Sequence, residues 1–196
     1  MIEISVASTE ADLKGIRRLQ EANLRKNLSE SEALNEGFVL AEFNIEFLET
    51  ISTKYPITIA KDEEGCIVGY ALAVSKESHC KYESLDNKLQ KLNEGSYNGI
   101  ILQDQPYILC AQLCVAVGYR GRGLMGQLYK GIQSMLRKIS PGITLCVADV
   151  AVENTRSLRA HEKIGFKIFD SMKIQGTTFN ILIWDWSIPK VVTSEE

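Results

Sequence analysis

Tyr119-Arg120-Gly121-Arg122-Gly123-Leu124-Met125-Gly126 is the stretch that decides how this chain is read. A nearly continuous apolar run, Tyr107 to Val117, leads into it. Behind it Leu124, Leu128, Ile132, Leu136 and Ile139 recur at helical spacing, which predicts a helix over 123–139. The octapeptide is therefore a glycine-rich turn between a buried strand and an amphipathic helix. Its three glycines let the backbone come close to a ligand and take unusual dihedral angles. The first turn of the helix offers N–H groups with no intrahelical partner, at the positive end of its dipole. Arg120 and Arg122 add positive charge. A pyrophosphate is the expected guest. The plainer alternative is a tight turn with two solvated arginines.

Upstream, Ile2, Ile4 and Val6 alternate with polar residues and predict a short strand. Ser8 or Thr9 can cap a helix that carries Leu13, Ile16, Leu19 and Leu24. Phe43, Phe47, Leu48 and Ile51 predict a second helix, ended before Pro56. Ile57 to Ala60 and Cys66 to Ser75 read as strands joined at Asp62-Glu63-Glu64-Gly65. Residues 77–95 are charged, with Tyr82, Leu85, Leu89 and Leu92 at helical spacing, as in an exposed amphipathic helix or an ordered excursion.

Downstream, Ser140-Pro141-Gly142 stops the long helix, and Ile143 to Val150 is a further strand. Asn154 caps a helix with Leu158, His161 and Ile164 along one side, closed by Gly165. Phe166 to Met172 and Thr178 to Trp186 are strands around a Gln175-Gly176 turn. The expected order is βαα-ββ-(α)-βαβαββ, an α/β fold in which a mixed, splayed central sheet has helices on both faces. A chain of 196 residues reads as a single domain, 1–196.

Composition narrows the function classes. Net charge is −3, which argues against nonspecific nucleic-acid binding. No apolar run reaches the roughly 18 residues of a membrane span, and Met1-Ile2-Glu3-Ile4-Ser5 does not open a signal peptide. A cytoplasmic protein without membrane or nucleic-acid partners is expected. The cysteines, Cys66, Cys80, Cys110, Cys114 and Cys146, are odd in number and form no CxxC pair. Free thiols are expected rather than disulfides or a metal site. His79 and His161 are too few for a histidine-rich metal centre.

Gly121-Arg122-Gly123-Leu124-Met125-Gly126 also matches the dinucleotide fingerprint GxGxxG, with Asp149 as a conceivable ribose ligand. Three residues, Gly118-Tyr119-Arg120, separate the strand from Gly121, and about 70 residues follow, too few for a second nucleotide half.

The pattern resembles the GNAT superfamily of acyl-CoA-dependent N-acetyltransferases, whose signature turn is R/Q-x-x-G-x-G/A. Arg120 to Leu124 matches, and Met125 stands where glycine or alanine is usual, with Gly126 after it. Leu113-Cys114-Val115 is similar to the preceding strand end. Asn154 and Lys163-Ile164-Gly165-Phe166 resemble the family's second segment, and residues 107–173 carry the strongest match. The resemblance implies acetyl-CoA as co-substrate, no metal, and a small-molecule or peptide amine as acceptor. A homodimer is compatible with it. It implies cofactor contacts at Val115, Val117, Arg120, Gly121, Arg122, Gly123, Met125, Gly126 and Asn154, the two valines through their backbone.

The same resemblance puts His161 where the family's thiolate-protonating tyrosine stands, so His161 is the candidate general acid; a packed helix-face histidine is the alternative. The central strand places Cys110, Gln112 and Cys114 on one face, where relatives often carry a glutamate, and none of the three is a carboxylate. Asp149 is left as the candidate base, against the reading of a strand-end acid that caps the next loop. Trp184 and Trp186 read as packing residues, and a buried cysteine is a blunted nucleophile. The missing carboxylate also leaves open a catalytically silent acyl-CoA sensor.

Overall fold

The computed structural model of the protein describes residues 1–77 and 83–187. Strand β1 (Glu3–Val6) leads to helix α1 (Glu10–Ala22). Thr9 caps α1 in a reciprocal box with Asp12, and Leu13, Ile16 and Leu19 bury its apolar face. Two short helices follow, α2 (Glu30–Glu36) and α3 (Ile45–Ser52). Strands β2 (Thr58–Lys61) and β3 (Ile67–Ser75) form the expected hairpin, and α4 (Glu83–Glu94) comes next. Tyr82, His79 and Cys80 lie outside the described residues. A small hairpin, β4 (Ser96–Tyr97) with β5 (Ile100–Ile101), precedes the central strand β6 (Tyr107–Val115). Then come α5 (Leu124–Ile139), β7 (Leu145–Ala151), α6 (Thr155–Ile164), β8 (Lys167–Ile174) and β9 (Thr177–Asp185).

Seven strands form one sheet in the order β1-β2-β3-β6-β7-β9-β8. Its described neighbours are antiparallel except β6 and β7, which run parallel and are joined by α5. This is the expected mixed sheet, and it is not the doubly wound sheet of a dinucleotide-binding fold. Helices cover both faces. Ile16, Leu48, Leu89, Tyr70 and Val147 pack on the α1, α3 and α4 side. Leu128, Ile132, Leu136, Ile108 and Cys146 pack on the α5 side. Gly131 lets α5 close on β2, since a β-carbon there would come within 2.6 Å of Thr58 Cγ2.

Two features of β6 shape the site. Its pairing with β7 runs from Tyr107↔Leu145 to Cys110↔Ala148 and then stops. Beyond that point the two strands diverge, each still held by its outer neighbour. At the same place β6 carries a bulge. Leu72 pairs Gln112 and Ala73 pairs Cys110, which leaves Ala111 as the extra residue. The bulge corrects the expected face. Gln112 and Cys114 lie toward α1, whereas Cys110 packs with Tyr129 and Leu182 on the α5 side. Alternation fails because one added residue turns every side chain after it to the other face.

Gln112 anchors a buried polar network on the α1 side. Its Oε1 accepts from Gln20 Nε2 and from the Tyr70 hydroxyl, both at 2.7 Å. Its Nε2 donates to the Ala41 carbonyl at 2.7 Å. Gln20 in turn accepts from the Phe43 amide at 2.9 Å. An amide fits this position because it supplies both an acceptor and a donor. Gln112→Glu sets a carboxylate oxygen against the Ala41 carbonyl, and should cost about 1–3 kcal/mol, or a Tm drop of roughly 2–12 °C. An unchanged Tm in calorimetry would show that the network can re-form around an acid.

Candidate active site

The glycine-rich elbow departs from β6 through a 3₁₀ turn at Val117–Tyr119. Tyr119 ties this turn to the β2–β3 hairpin by donating to Asp62 Oδ2 at 3.0 Å. Gly121 and Gly123 have φ of +76° and +74°, which L side chains adopt only with strain. Gly123 is the N-cap of α5 and leaves it without a side-chain cap. Thr9, Ser29, Asn44 and Asn154 cap α1, α2, α3 and α6 with a side-chain oxygen. The first turn of α5 also carries no acidic residue. Its amides and its positive dipole end are thus left for an anion.

A cleft of about 690 Å³ runs along this elbow, between α5, α6 and the segment 34–39. Val115, Arg120, Gly121, Gly123, Met125, Gly126 and Asn154 line it. Val117 and Arg122 do not: Val117 is exposed in the 3₁₀ turn, and the Arg122 guanidinium stands over the Tyr119 ring at 5.8 Å. Arg120 is also turned differently from the expected phosphate-facing charge. Its Nε donates to the Val115 carbonyl at 2.8 Å, its Nη1 to the Glu36 carbonyl at 2.5 Å and its Nη2 to Asn23 Oδ1 at 2.5 Å. An ion pair with the Glu36 carboxylate at 3.1 Å completes the set. The guanidinium thereby clamps the end of β6 to the N-terminal third of the chain. Asn154 is likewise committed, accepting from Ser157 N at 3.3 Å and donating to the Phe38 carbonyl at 2.9 Å.

A second cavity, of about 360 Å³, opens where β6 and β7 part. It shares Phe38, Val39, Leu113, Asn154, Ser157 and His161 with the cleft, so the two spaces adjoin. On its α5 side stand Tyr129 and His161. His161 is buried, its Nδ1 lies 2.8 Å from the Ser157 carbonyl and its Nε2 lies 2.8 Å from the Tyr129 hydroxyl. The carbonyl can only accept, so the ring proton sits on Nδ1 and Nε2 accepts from Tyr129. Burial holds the imidazole down at about pKa 4, although the Ser157 carbonyl pulls the other way. His161 is therefore a neutral acceptor near pH 7, and the expected charged donor is corrected on this point. Burial keeps the Tyr129 phenol well above its ordinary pKa, so its hydroxyl stays protonated.

On the opposite side stands Asp149, from the divergent part of β7. Its Oδ2 lies 2.6 Å from the Lys88 ammonium of α4, with the two side chains 4% and 16% exposed. Its Oδ1 is buried and has no hydrogen-bond partner. Asp149 is thus an ion-paired cavity residue and not a cap for the following loop. Lys88 was not anticipated, since 61 residues separate it from its partner and its helical spacing signals only an exposed face. Burial pushes the Cys110 and Cys114 thiols up to about 12, and Cys146 well above its usual value, so none of these three is a thiolate near pH 7. Cys66, Cys110, Cys114 and Cys146 are free. Among the described residues no cluster of histidine, cysteine and carboxylate side chains could hold a metal, and no helix is long and apolar enough to cross a membrane. Trp184 packs on Phe166 and Trp186 in the α5-side core.

Comparison with solved structures finds this fold many times. The chain is similar to a chain of the NatC complex bound to Gag peptide and CoA, with TM-score 0.62, 17% identity, and 94% of this chain and 98% of that one covered. It is similar to yncA of Salmonella typhimurium, solved with acetyl-CoA, with TM-score 0.59, 16% identity and 94% of each chain covered. The ribosomal-protein-S18-alanine N-acetyltransferase of Escherichia coli aligns with TM-score 0.61, 12% identity and 98% of each chain covered. At these identities the likeness is one of fold. No curated protein matches the sequence at a significant level. The profile of the Acetyltransferase (GNAT) family matches residues 24–166, from the end of α1 to the end of α6, and the chain belongs to that family.

Proposed function

We propose that this protein moves the acetyl group of acetyl-CoA to an amine by direct attack. One observation carries the reading: an uncapped helix end at the Gly121–Gly126 elbow opens into a cleft that meets the gap between β6 and β7. The amides of the elbow would hold the diphosphate. The edge of β6 that β7 vacates after Cys110 would take the pantetheine as an added strand, up to Val115. The thioester then comes to the junction of the two spaces, and the amine enters from the 360 Å³ cavity. The NatC complex was solved with a Gag peptide and CoA, yncA with acetyl-CoA, and the Escherichia coli protein is a ribosomal-protein-S18-alanine N-acetyltransferase, which agrees with this division.

Asp149 accepts the amine's proton in this scheme, through the carboxylate oxygen that lacks a partner. A backbone N–H near Val115 steadies the oxyanion. The C–N bond forms, the C–S bond breaks, and the departing thiolate takes a proton from the Tyr129 hydroxyl as that hydrogen swings off His161 Nε2; the phenolate is at once reprotonated through solvent, while Asp149 releases the amine's proton. His161 acts through that tyrosine: its Nε2 positions the hydroxyl. Direct attack suits a site whose buried thiols stay protonated. The family's strand glutamate has no counterpart at Gln112, and this favours the alternative of a silent acyl-CoA sensor. Thiol release with an amine panel separates the two, because a sensor binds without turnover.

Calorimetry and thermal shift should register CoA and acetyl-CoA, and Gly123→Val, strained at φ +74°, should lose the response. No response from well-folded wild-type protein overturns the proposal. Asp149→Asn and Tyr129→Phe should each lower turnover by roughly 10²–10⁴-fold with acetyl-CoA affinity kept. A change below about threefold removes that residue from the chemistry. His161 makes a separate prediction for stability. Its pKa falls from 6.5 unfolded to about 4 folded, so its contribution is whole above about pH 6.5 and is lost as pH falls toward 4. Urea melts should show wild type losing about 1.4 kcal/mol per pH unit more than His161→Gln across that window. Parallel losses would mean that the ring is charged or solvated in the folded state.

A further inference from the structure

Lys88, partly buried, and Asp149, buried, form an ion pair on the wall of the cavity through which the amine enters. Lys88 comes from α4, whose Leu85, Leu89 and Leu92 seat it on the sheet, and its ammonium also lies over the Phe179 ring at 5.1 Å. The rest of the lining near the pair is largely apolar: Phe38, Phe43, Leu85, Ile174 and Phe179. Lys88 holds Oδ2 of Asp149 and leaves Oδ1 free, so an acceptor ammonium on Oδ1 shares the carboxylate with Lys88. Two cations then face one anion in a poorly solvated place, which is unfavourable. Among the described lining residues Asp149 is the only anion. The compensation must therefore arrive with the acceptor.

Resting on the acetyl-transfer reading above, we propose that the acceptor is a free α-amino acid with an apolar side chain, and that Lys88 binds its carboxylate. The zwitterion is the electrical complement of the pair. Its ammonium meets Asp149, its carboxylate meets Lys88, and neither buried charge is left alone. Its side chain fills the Phe38, Leu85 and Phe179 wall. A polyamine adds a further cation near Lys88, and a simple amine or an amino-acid amide leaves two cations sharing the one carboxylate of Asp149. The transfer balances: the bound ammonium first gives one proton to Asp149, which passes it to solvent, the neutral α-amine then attacks the thioester, its second proton passes to Asp149, and the departing thiolate is protonated as described above, so one proton is released per turnover.

The test compares L-phenylalanine, L-leucine and L-methionine with L-phenylalaninamide, phenethylamine and spermidine, by thiol release and product mass. The amino acids should exceed the amide and the amine in kcat/KM by about 10²-fold or more, because a site built for a polar group rejects the analogue that lacks it. Lys88→Met should collapse this ratio toward one through loss on the amino acid alone, whereas Lys88→Arg should keep most of it. Melting curves of both variants verify folding, and Lys88→Arg carries the test if Lys88→Met does not fold. Equal use of phenethylamine or the amide, preference for spermidine, or an intact ratio in Lys88→Met overturns the proposal and leaves Lys88 as a pin for α4. If acetyl-CoA binds and another amine class is turned over, this inference fails while the acetyl-transfer reading stands. If acetyl-CoA does not bind, the reading beneath it fails first.

Discussion

Everything in this molecule that bears on chemistry follows from one pair of strands that cannot stay together. β6 and β7 share four register positions, Tyr107 to Cys110 against Leu145 to Ala148, and then part. Each keeps its antiparallel neighbour, so the sheet survives as two halves. Backbone groups that lose a ladder partner need another one. The parting therefore creates both a space and a demand for hydrogen bonds inside it. A bulge at Ala111 stands at the same level and turns Cys110 toward α5 while Gln112 turns toward α1.

The walls of that space have distinct characters. On the α5 side, Ser157, His161 and Tyr129 form a neutral chain in which each proton has a defined place. On the α4 side, Lys88 and Asp149 pair opposite charges, the carboxylate buried and the ammonium partly so. Toward α1, Gln112, Gln20 and Tyr70 are bonded to one another and to the Ala41 carbonyl and Phe43 amide. A buried network that is fully bonded is rigid, and one with an unpaired oxygen is ready for a ligand. Among the side chains of these walls, the one buried oxygen without a partner belongs to Asp149.

Much of the frame was legible in the residues. Thr9 and Asn154 announce their helices by capping chemistry, and the elbow announces itself by glycines between an apolar strand and a periodic helix. Helix α2 was missed although Ser29 and Glu32 form a capping box, because its seven residues bury little more than Ala33 and show no periodic stripe. The face of Cys110 was misread because a bulge has no signature in alternation. The type and position of Arg120 suit a phosphate ligand, yet its partners Asn23 and Glu36 lie 97 and 84 residues away in sequence. Lys88 escaped for the same reason. Pairings of that range are decided by the fold, and local pattern does not encode them.

The grip of Arg120 has a mechanical meaning. One planar cation joins the carbonyl at the tip of β6 to Asn23 after α1 and to Glu36 at the close of α2. Glu36 also pairs with Arg156 of α6 at 3.5 Å. The elbow and the far wall of the cleft thus share a single rigid brace. A change at Arg120, Asn23, Glu36 or Arg156 is therefore felt on both walls of the cleft at once, and the shape of the cleft rests on Asn23, Glu36 and Arg156, which lie outside both the elbow and the sheet.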